Sequence, residues 1–501
     1  MDTTTGRQSL WLADPGARAD YPELTGEVTA DVVVVGAGIT GLTTALLLKR
    51  AGLRVAVLEA GRVGQGASGN NTAKVSALQT TVYSELVKRH GAAAAAGYAE
   101  ANLAGVETVA GIVKQEGIDC DLRRRPALTY AIKESERAAV AAEFEAAGRA
   151  GLHVVHDSGG ADLPFPTFGA VRLADQLSLH PVRYLAGLAA AVHGDGSRVF
   201  ESSRVLDVRT AGPNRVRTGG GTVRAERIVI ATHAPLLDRG LYFARLEATR
   251  SYCVAARLRS GRPPAGLAIN AGEPVRSIAS AGDLLIIGGE SHPTGERGVD
   301  SRRYLALESF AREHWDVAEI THRWSAQDLY AYDGLPMIGS YTPRSRTMYV
   351  ATGYRKWGLA MAAAAAMLLT DTLTGQTSPW SSLFSPHRLS LHGLPQLARL
   401  NGKVAAELVG DRLRPVEVSD PADVPPGEAR VLRDGLGQTG VYRDKHGALH
   451  AVSLRCTHLG CLLRFNGAET SWDCPCHGSR FDVDGAVLEG PASRALRRKD
   501  V

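Results

Sequence analysis

The residues best equipped for chemistry form two short cysteine–histidine groups: Cys456-Thr-His458-Leu-Gly-Cys461 and Cys474-Pro-Cys476-His477-Gly-Ser479. Fifteen residues separate His458 from Cys474. Two thiolates and two imidazoles on two tight loops match a [2Fe–2S] cluster held by cysteine on one iron and histidine on the other. A structural zinc site also accepts two cysteines and two histidines. Zinc fingers, however, separate a Cys-x-x-Cys from a His-x-x-x-His, whereas this chain repeats a mixed pair. The motif predicts an electron-transfer centre with Cys456, His458, Cys474 and His477 as metal ligands.

A second site is written in glycines. Residues 31–35, Asp followed by four Val, form a continuous apolar run of the kind found in buried parallel strands. The run leads into Gly36-Ala-Gly38-Ile-Thr-Gly41, then a helical stretch stopped at Gly52, a strand at 55–58 and Glu59. These glycines permit a tight turn and let backbone N–H groups approach a pyrophosphate at a helix N-terminus. Glu59, 18 residues beyond Gly41, is placed to bind ribose hydroxyls and to repel a 2′-phosphate.

Both regions resemble known families. The cysteine–histidine loops resemble those of the Rieske proteins of respiratory and photosynthetic cytochrome complexes. The resemblance covers residues 412–501 and implies a small all-β domain, a Cys461–Cys476 disulfide, and a bond from Ser479 to a cluster sulfur that raises the potential. Phe481 stands where high-potential members place a tyrosine. A potential inside the span of roughly −150 to +300 mV, below its top, is therefore expected. Residues 441–452 alternate around Lys445-His446-Gly447 as a hairpin does, and Gly490-Pro491 resembles the proline loop that shields the cluster.

Residues 28–390 resemble the D-amino-acid oxidase superfamily, with its glycine and sarcosine oxidase-like members. Arg227-Ile-Val-Ile-Ala-Thr232 resembles a flavin-contact strand. Asp333-Gly-Leu-Pro-Met-Ile-Gly339 and Met348-Tyr-Val-Ala-Thr-Gly353 resemble the family's later flavin-binding part, followed by Gly353-Tyr-Arg-Lys-Trp-Gly358 and an apolar helix at 359–369. No second GxGxxG unit appears, so no dedicated nicotinamide domain is expected. The resemblance implies FAD in an α/β two-dinucleotide-fold domain with an α+β substrate domain. The cofactor-binding residues it implies are Gly36, Gly38, Gly41, Glu59, Ser68, Thr72, Ala231, Gly339, Gly353, Trp357 and Gly358.

The same resemblance points to catalytic side chains. Lys74 lies in the loop that carries basic groups near the flavin ring. Lys356 stands where amino-acid oxidases put a carboxylate-binding cation. Asp328 lies where glycine-oxidase-like members carry arginine, which favours an ammonium group over a carboxylate. Tyr252 is a fourth candidate, for orienting the amine, with His233, Tyr330 and Tyr332 behind it. His387 and His392 form a His-x4-His pair, but Phe384 occupies the place of the carboxylate that a mononuclear iron site requires.

Composition bounds the rest. The 501 residues leave room for two or three domains. A net charge of +5 and 44% apolar content give no nucleic-acid footprint. The first five residues lack the basic and apolar parts of a signal peptide, and the apolar run at 359–369 is too short to span a bilayer. A cytoplasmic protein without an integral membrane segment is expected. The expected order is an N-terminal arm (1–27), the amine oxidoreductase (28–390), a linker (391–411) and the Rieske domain (412–501). Within the second, FAD parts fall at about 28–80, 171–239 and 335–390, and substrate parts at 81–170 and 240–334.

The implied activity is FAD-dependent oxidation of the C–N bond of an amine or amino-acid-like substrate, with the imine hydrolysed to an aldehyde or keto product. The cluster would relay electrons to an acceptor. One alternative is a true oxidase that uses O2 beside a structural Rieske domain. Another is an electron-transfer module with little substrate chemistry. Similar flavoproteins in routes to N–N bonded metabolites add a lysine-derived N-substituted amine or hydrazine to the candidate substrates.

Overall fold

The computed structural model describes residues 8–17, 20–157, 163–410, 420–434 and 437–500. The start of the expected N-terminal arm and residues 411–419, where linker and Rieske domain were expected to meet, lie outside the described residues.

The valine run becomes the inner part of strand Gly26–Val35, paired in parallel with Gly221–Ile230 on one side and Val55–Leu58 on the other. Met348–Thr352, Met337–Ser340 and Arg198–Phe200 extend this sheet. Val32 to Val35 are at most 3% exposed, because both faces of the sheet are covered. Helices Ile39–Arg50 and Gly358–Leu373 pack on it, and Ala92–Glu116 packs on Gly358–Leu373. The alanine run 362–366 serves that packing: every one of its side chains is buried. Gly105 lets helix Ala92–Glu116 approach so closely that a Cβ there would overlap the carbonyl of Ala360.

A nine-stranded sheet stands over the first. Its main path runs Val317–Ala331, Leu246–Leu258, Leu284–Pro293, Arg276–Ala281, Leu267–Asn270, Arg123–Tyr130, Ala170–Ser178 and Lys74–Val75. Strand Ala170–Ser178, expected at the edge of a flavin-binding part, pairs here instead with Arg123–Tyr130.

The C-terminal residues form two small antiparallel sheets. One holds Ala429–Asp434, Gly437–Arg443 and Leu449–Ser453; the other holds Arg464–Asn466, Ser471–Asp473, Arg480–Phe481 and Val487–Glu489. Trp472, Phe481, Leu454 and Leu463 are buried between them.

The expected linker is largely a helix, Leu394–Gly410. Leu394, Leu397, Leu400, Val404 and Leu408 recur at three- and four-residue spacing and give it an apolar face. Pro395 is tolerated because it falls in the first turn. The helix is tied to the body: Asn401 Nδ2 donates to Ala244 O at 3.0 Å, and Arg399 and Gln396 reach Glu247. His387 of the His-x4-His pair lies 2.9 Å from Ser340 O through Nε2, a structural role. Among the described residues no helix is long and apolar enough to cross a membrane.

Candidate active site and cluster site

Strand Gly26–Val35 ends at Gly36, whose φ of +106° turns the chain toward helix Ile39–Arg50. A side chain at Gly36 would strike Ala231 O, and one at Gly38 would lie 2.9 Å from Ser68 Oγ. Gly41, inside the helix, leaves no room for a Cβ beside Gly36 O. Ser68 Oγ accepts from Ile39 N at 3.1 Å. The Glu59 carboxylate accepts from Ala37 N (2.8 Å) and Gly61 N (2.9 Å), and burial raises its proton affinity.

A cavity of about 900 Å3 opens over this turn and is lined by Gly36, Gly38, Glu59, Ser68, Ala231 and Gly358. A helix N-terminus, bare backbone and a terminal carboxylate suit the pyrophosphate and ribose of FAD. Gly41, Thr72, Gly339, Gly353 and Trp357, expected at the cofactor, are not on its wall. Gly339 packs on Pro386, Gly353 (φ +81°) turns the chain out of strand Met348–Thr352, Trp357 precedes helix Gly358–Leu373, and Thr72 lies beside Gly288.

At its other end the cavity meets His233, Gln327, Asp328 and Lys356. Lys356 Nζ donates to Ser251 Oγ (2.5 Å) and Ser291 Oγ (2.8 Å). Burial lowers its pKa, opposed by Asp328. Burial raises that of Asp328, opposed by Lys356 and His233. Among the described residues nothing hydrogen-bonds or ion-pairs with the Asp328 carboxylate. His233, at φ +62°, holds a buried Nε2 with no partner.

Two of the four expected catalytic residues are elsewhere. Lys74 is buried behind the wall and donates to Ala268 O and Ser277 Oγ, both at 2.7 Å; burial lowers its pKa to about 7. Tyr252 lies 3.0 Å from His292 Nε2 through its hydroxyl and packs edge-on against Tyr304. Opposite Arg250 and Tyr252 the partner strand Leu284–Pro293 carries one extra residue, while pairing there with Val317–Ala331 runs unbroken; Arg250 lines the cavity and Tyr252 does not. Tyr330 sits under Arg355, and neither it nor Tyr332 reaches the wall.

The C-terminal domain closes the cavity. Glu469, Arg480 and residues 487–493 line it. Arg250, with a side chain only 3% exposed, joins Glu469 (3.2 Å) to Glu489 (3.3 Å). Gln327 Nε2 donates to Gly478 O at 3.0 Å, and Arg204 to Val487 O at 3.2 Å. Sequence reasoning missed Arg204, Arg250, Glu469, Arg480 and Glu489. Only Arg480 had a local signal, as the residue after Ser479.

The predicted metal ligands converge. Cys456 and Cys474 are free and buried, and Cys461 is joined to Cys476 in a disulfide that ties the two loops together. A hydrogen bond from Cys474 holds the Cys456 thiol below its ordinary pKa. The His458 and His477 rings lie 5.1 Å apart, and the Nδ1 atom of each is buried without a partner. A pair of thiols and a pair of open imidazole nitrogens are the donor set of a cluster with cysteine and histidine on separate irons. Ser479 Oγ, beside them, accepts from Ala492 N at 3.0 Å. The flavin-side segment caps the histidines: Phe243 packs edge-on against both rings, and Asp238 Oδ1 lies 2.8 Å from His458 Nε2.

Residues 31–372 match the family described as FAD dependent oxidoreductase, and residues 414–499 match the Rieske [2Fe-2S] domain. A Bacillus subtilis relative, "Putative Rieske 2Fe-2S iron-sulfur protein YhfW", is 34% identical over 96% of this chain and 95% of its own length. Gamma-glutamylputrescine oxidoreductase of Escherichia coli is 30% identical over 47% of this chain and 56% of its own length. Glycine oxidase from Geobacillus kaustophilus superposes on 72% of this chain and 99% of its own with a TM-score of 0.62 at 23% identity, a likeness of fold.

Proposed function

The chain belongs to the FAD dependent oxidoreductase family and carries a Rieske [2Fe-2S] domain, and from that premise we propose that it oxidises the C–N bond of an amine and passes the electrons out through the cluster. When bound, FAD supplies a two-electron acceptor for the C–H next to nitrogen, and the cluster a one-electron carrier. One observation carries the reading: Arg480, next to the cluster-side Ser479, and residues 487–493 form part of the wall of the FAD cavity. Substrate site and cluster thus share one boundary, with no third domain between them.

The chain's own groups prepare the substrate. An ammonium must lose a proton before its neighbouring C–H can leave with two electrons. Asp328, on the cavity with raised proton affinity and no protein partner, is the group proposed to receive that proton. Lys356, oriented by Ser251 and Ser291, is left to meet a carboxylate. A lysine-derived N-substituted amine or hydrazine, carrying both nitrogen and carboxylate, belongs to the class this pair would suit. Hydrolysis of the imine then gives an aldehyde or keto product.

The test is anaerobic addition of an amine panel, following flavin absorbance and the paramagnetic signal of the reduced cluster. FAD should bleach first and the cluster signal should follow. A cluster that stays oxidised beside fully reduced FAD in the intact protein overturns the electron route.

A further inference from the structure

The wall contributed by the C-terminal domain contains a buried ion network. Arg250 contacts Glu469 and Glu489, while Arg480 contacts Asp473 at 2.9 Å and Glu489 at 3.4 Å. Two guanidinium groups therefore face three carboxylates, and one negative charge is left over. A buried charge without a counter-charge is costly, so such a surplus calls for a cation.

The three carboxylates are not equally satisfied. Asp473, 1% exposed, also accepts from Asn466 and Ser471 at 3.0 and 2.8 Å. Glu469 accepts from the Tyr304 hydroxyl at 2.7 Å. Glu489 has only guanidinium contacts, all at 3.3–3.4 Å, longer than the roughly 2.7–2.9 Å of a well-made charge-assisted bond. Its side chain is also the most exposed of the three, at 25%, and it lines the cavity. Independently, the same cavity presents the unpartnered Asp328. One cavity thus offers two underused carboxylates, one from each domain.

We infer that the substrate carries a second cationic group and that Glu489, from the Rieske domain, receives it while Asp328 receives the reacting nitrogen. This rests on the amine-oxidation reading and narrows it. The substrate class is a dication, an α,ω-diamine or an amine bearing a distal ammonium, and its binding site is complete only when both domains are present. Lys356, held by Ser251 and Ser291, stays free for an additional carboxylate on the same molecule. The C-terminal domain is then a specificity element as well as an electron carrier.

The experiment compares straight-chain monoamines with their α,ω-diamine counterparts on the full-length protein loaded with both cofactors. Half-saturation for anaerobic flavin bleaching is measured for wild type, Glu489→Gln and Glu489→Asp. Wild type should favour the diamine of matching length over the monoamine by about tenfold or more, the size of one hydrogen bond to a charged group. Glu489→Gln should weaken the diamine about tenfold more than the monoamine, which removes that preference, and Glu489→Asp should restore part of it. Retained FAD absorbance and an unchanged Rieske spectrum establish that the variants are folded. Equal bleaching by monoamines and diamines in wild type, or an equal loss for both in Glu489→Gln, overturns the inference and leaves amine oxidation standing. If no amine bleaches the flavin, the amine-oxidation reading fails. Calorimetric binding of diamine over monoamine, lost in Glu489→Gln, then still decides the role of Glu489.

Discussion

Asp238 places a flavin-side carboxylate on a predicted cluster ligand, and its replacement by asparagine has a calculable effect. The carboxylate sits 2.8 Å from His458 Nε2. The partner-free Nδ1 lies on the other side of the same ring, about 5 Å from the charge once the width of an imidazole is added. An added electron on a metal held by that Nδ1 lies farther away again, so the charge opposes it by less than roughly 3 kcal/mol at an effective dielectric of about 20, and by less than about 0.8 kcal/mol in the water limit. The Asp238 side chain is 58% exposed, so the result belongs in the lower half of that range. For a one-electron couple the limits correspond to roughly 140 and 35 mV. Asp238→Asn keeps the size and the hydrogen-bonding oxygen and removes the charge, so the potential should rise by a few tens of millivolts. Redox titration followed by the cluster's paramagnetic signal measures it, and Asp238→Glu should remain near wild type. An unchanged potential in Asp238→Asn, with the g-values of the wild type, would show that the carboxylate does not act on the cluster. A fall would contradict the sign of the argument.

Two further outcomes follow from the flavin side. Gly38→Val places a branched side chain where even a Cβ lies 2.9 Å from Ser68 Oγ; purified variant should lose FAD while keeping the Rieske spectrum, and stoichiometric FAD in it would remove the glycine turn from the cofactor site. Lys74, held at about 7 against the ordinary 10.5, carries a charging penalty of roughly 4–5 kcal/mol at most. For a lysine whose folded pKa is depressed, that penalty is fully present below about pH 7 and fades as pH rises toward 10.5. Lys74→Met should therefore raise Tm more at about pH 6 than at about pH 9, and equal gains at the two would mean that the lysine does not titrate as its burial implies.

Local chemistry was legible in the sequence, and long-range chemistry was not. The glycine turn with Glu59, and the two cysteine–histidine loops, are each set by a few consecutive residues whose types permit one backbone course. The structure brings those residues together. Asp328 and Lys356 could be placed by their neighbours in the chain, because both stand on stretches whose resemblance fixed their register. Tyr252 could not, since what holds it, His292 and Tyr304, comes from segments forty and more residues along the chain. The same reason hid the acidic wall. Arg250 is more than two hundred residues from Glu469 and Glu489, and nothing in its own segment distinguishes a buried ion-pair partner from an exposed strand arginine. The helix Leu394–Gly410 was hidden differently: the prolines around it made the stretch read as a linker, although its leucines already carried a helical period. That helix bears on function as well as fold. Glu407 on it pairs with Arg464 of the C-terminal domain, while Arg399 pairs with Glu247 of the flavin side. The connector thus joins the Arg250 network, the Asp238–His458 contact and the Gln327–Gly478 and Arg204–Val487 bonds in fixing the two domains against each other. Ties at these separate points favour electron transfer within a fixed geometry over a cluster domain that must swing.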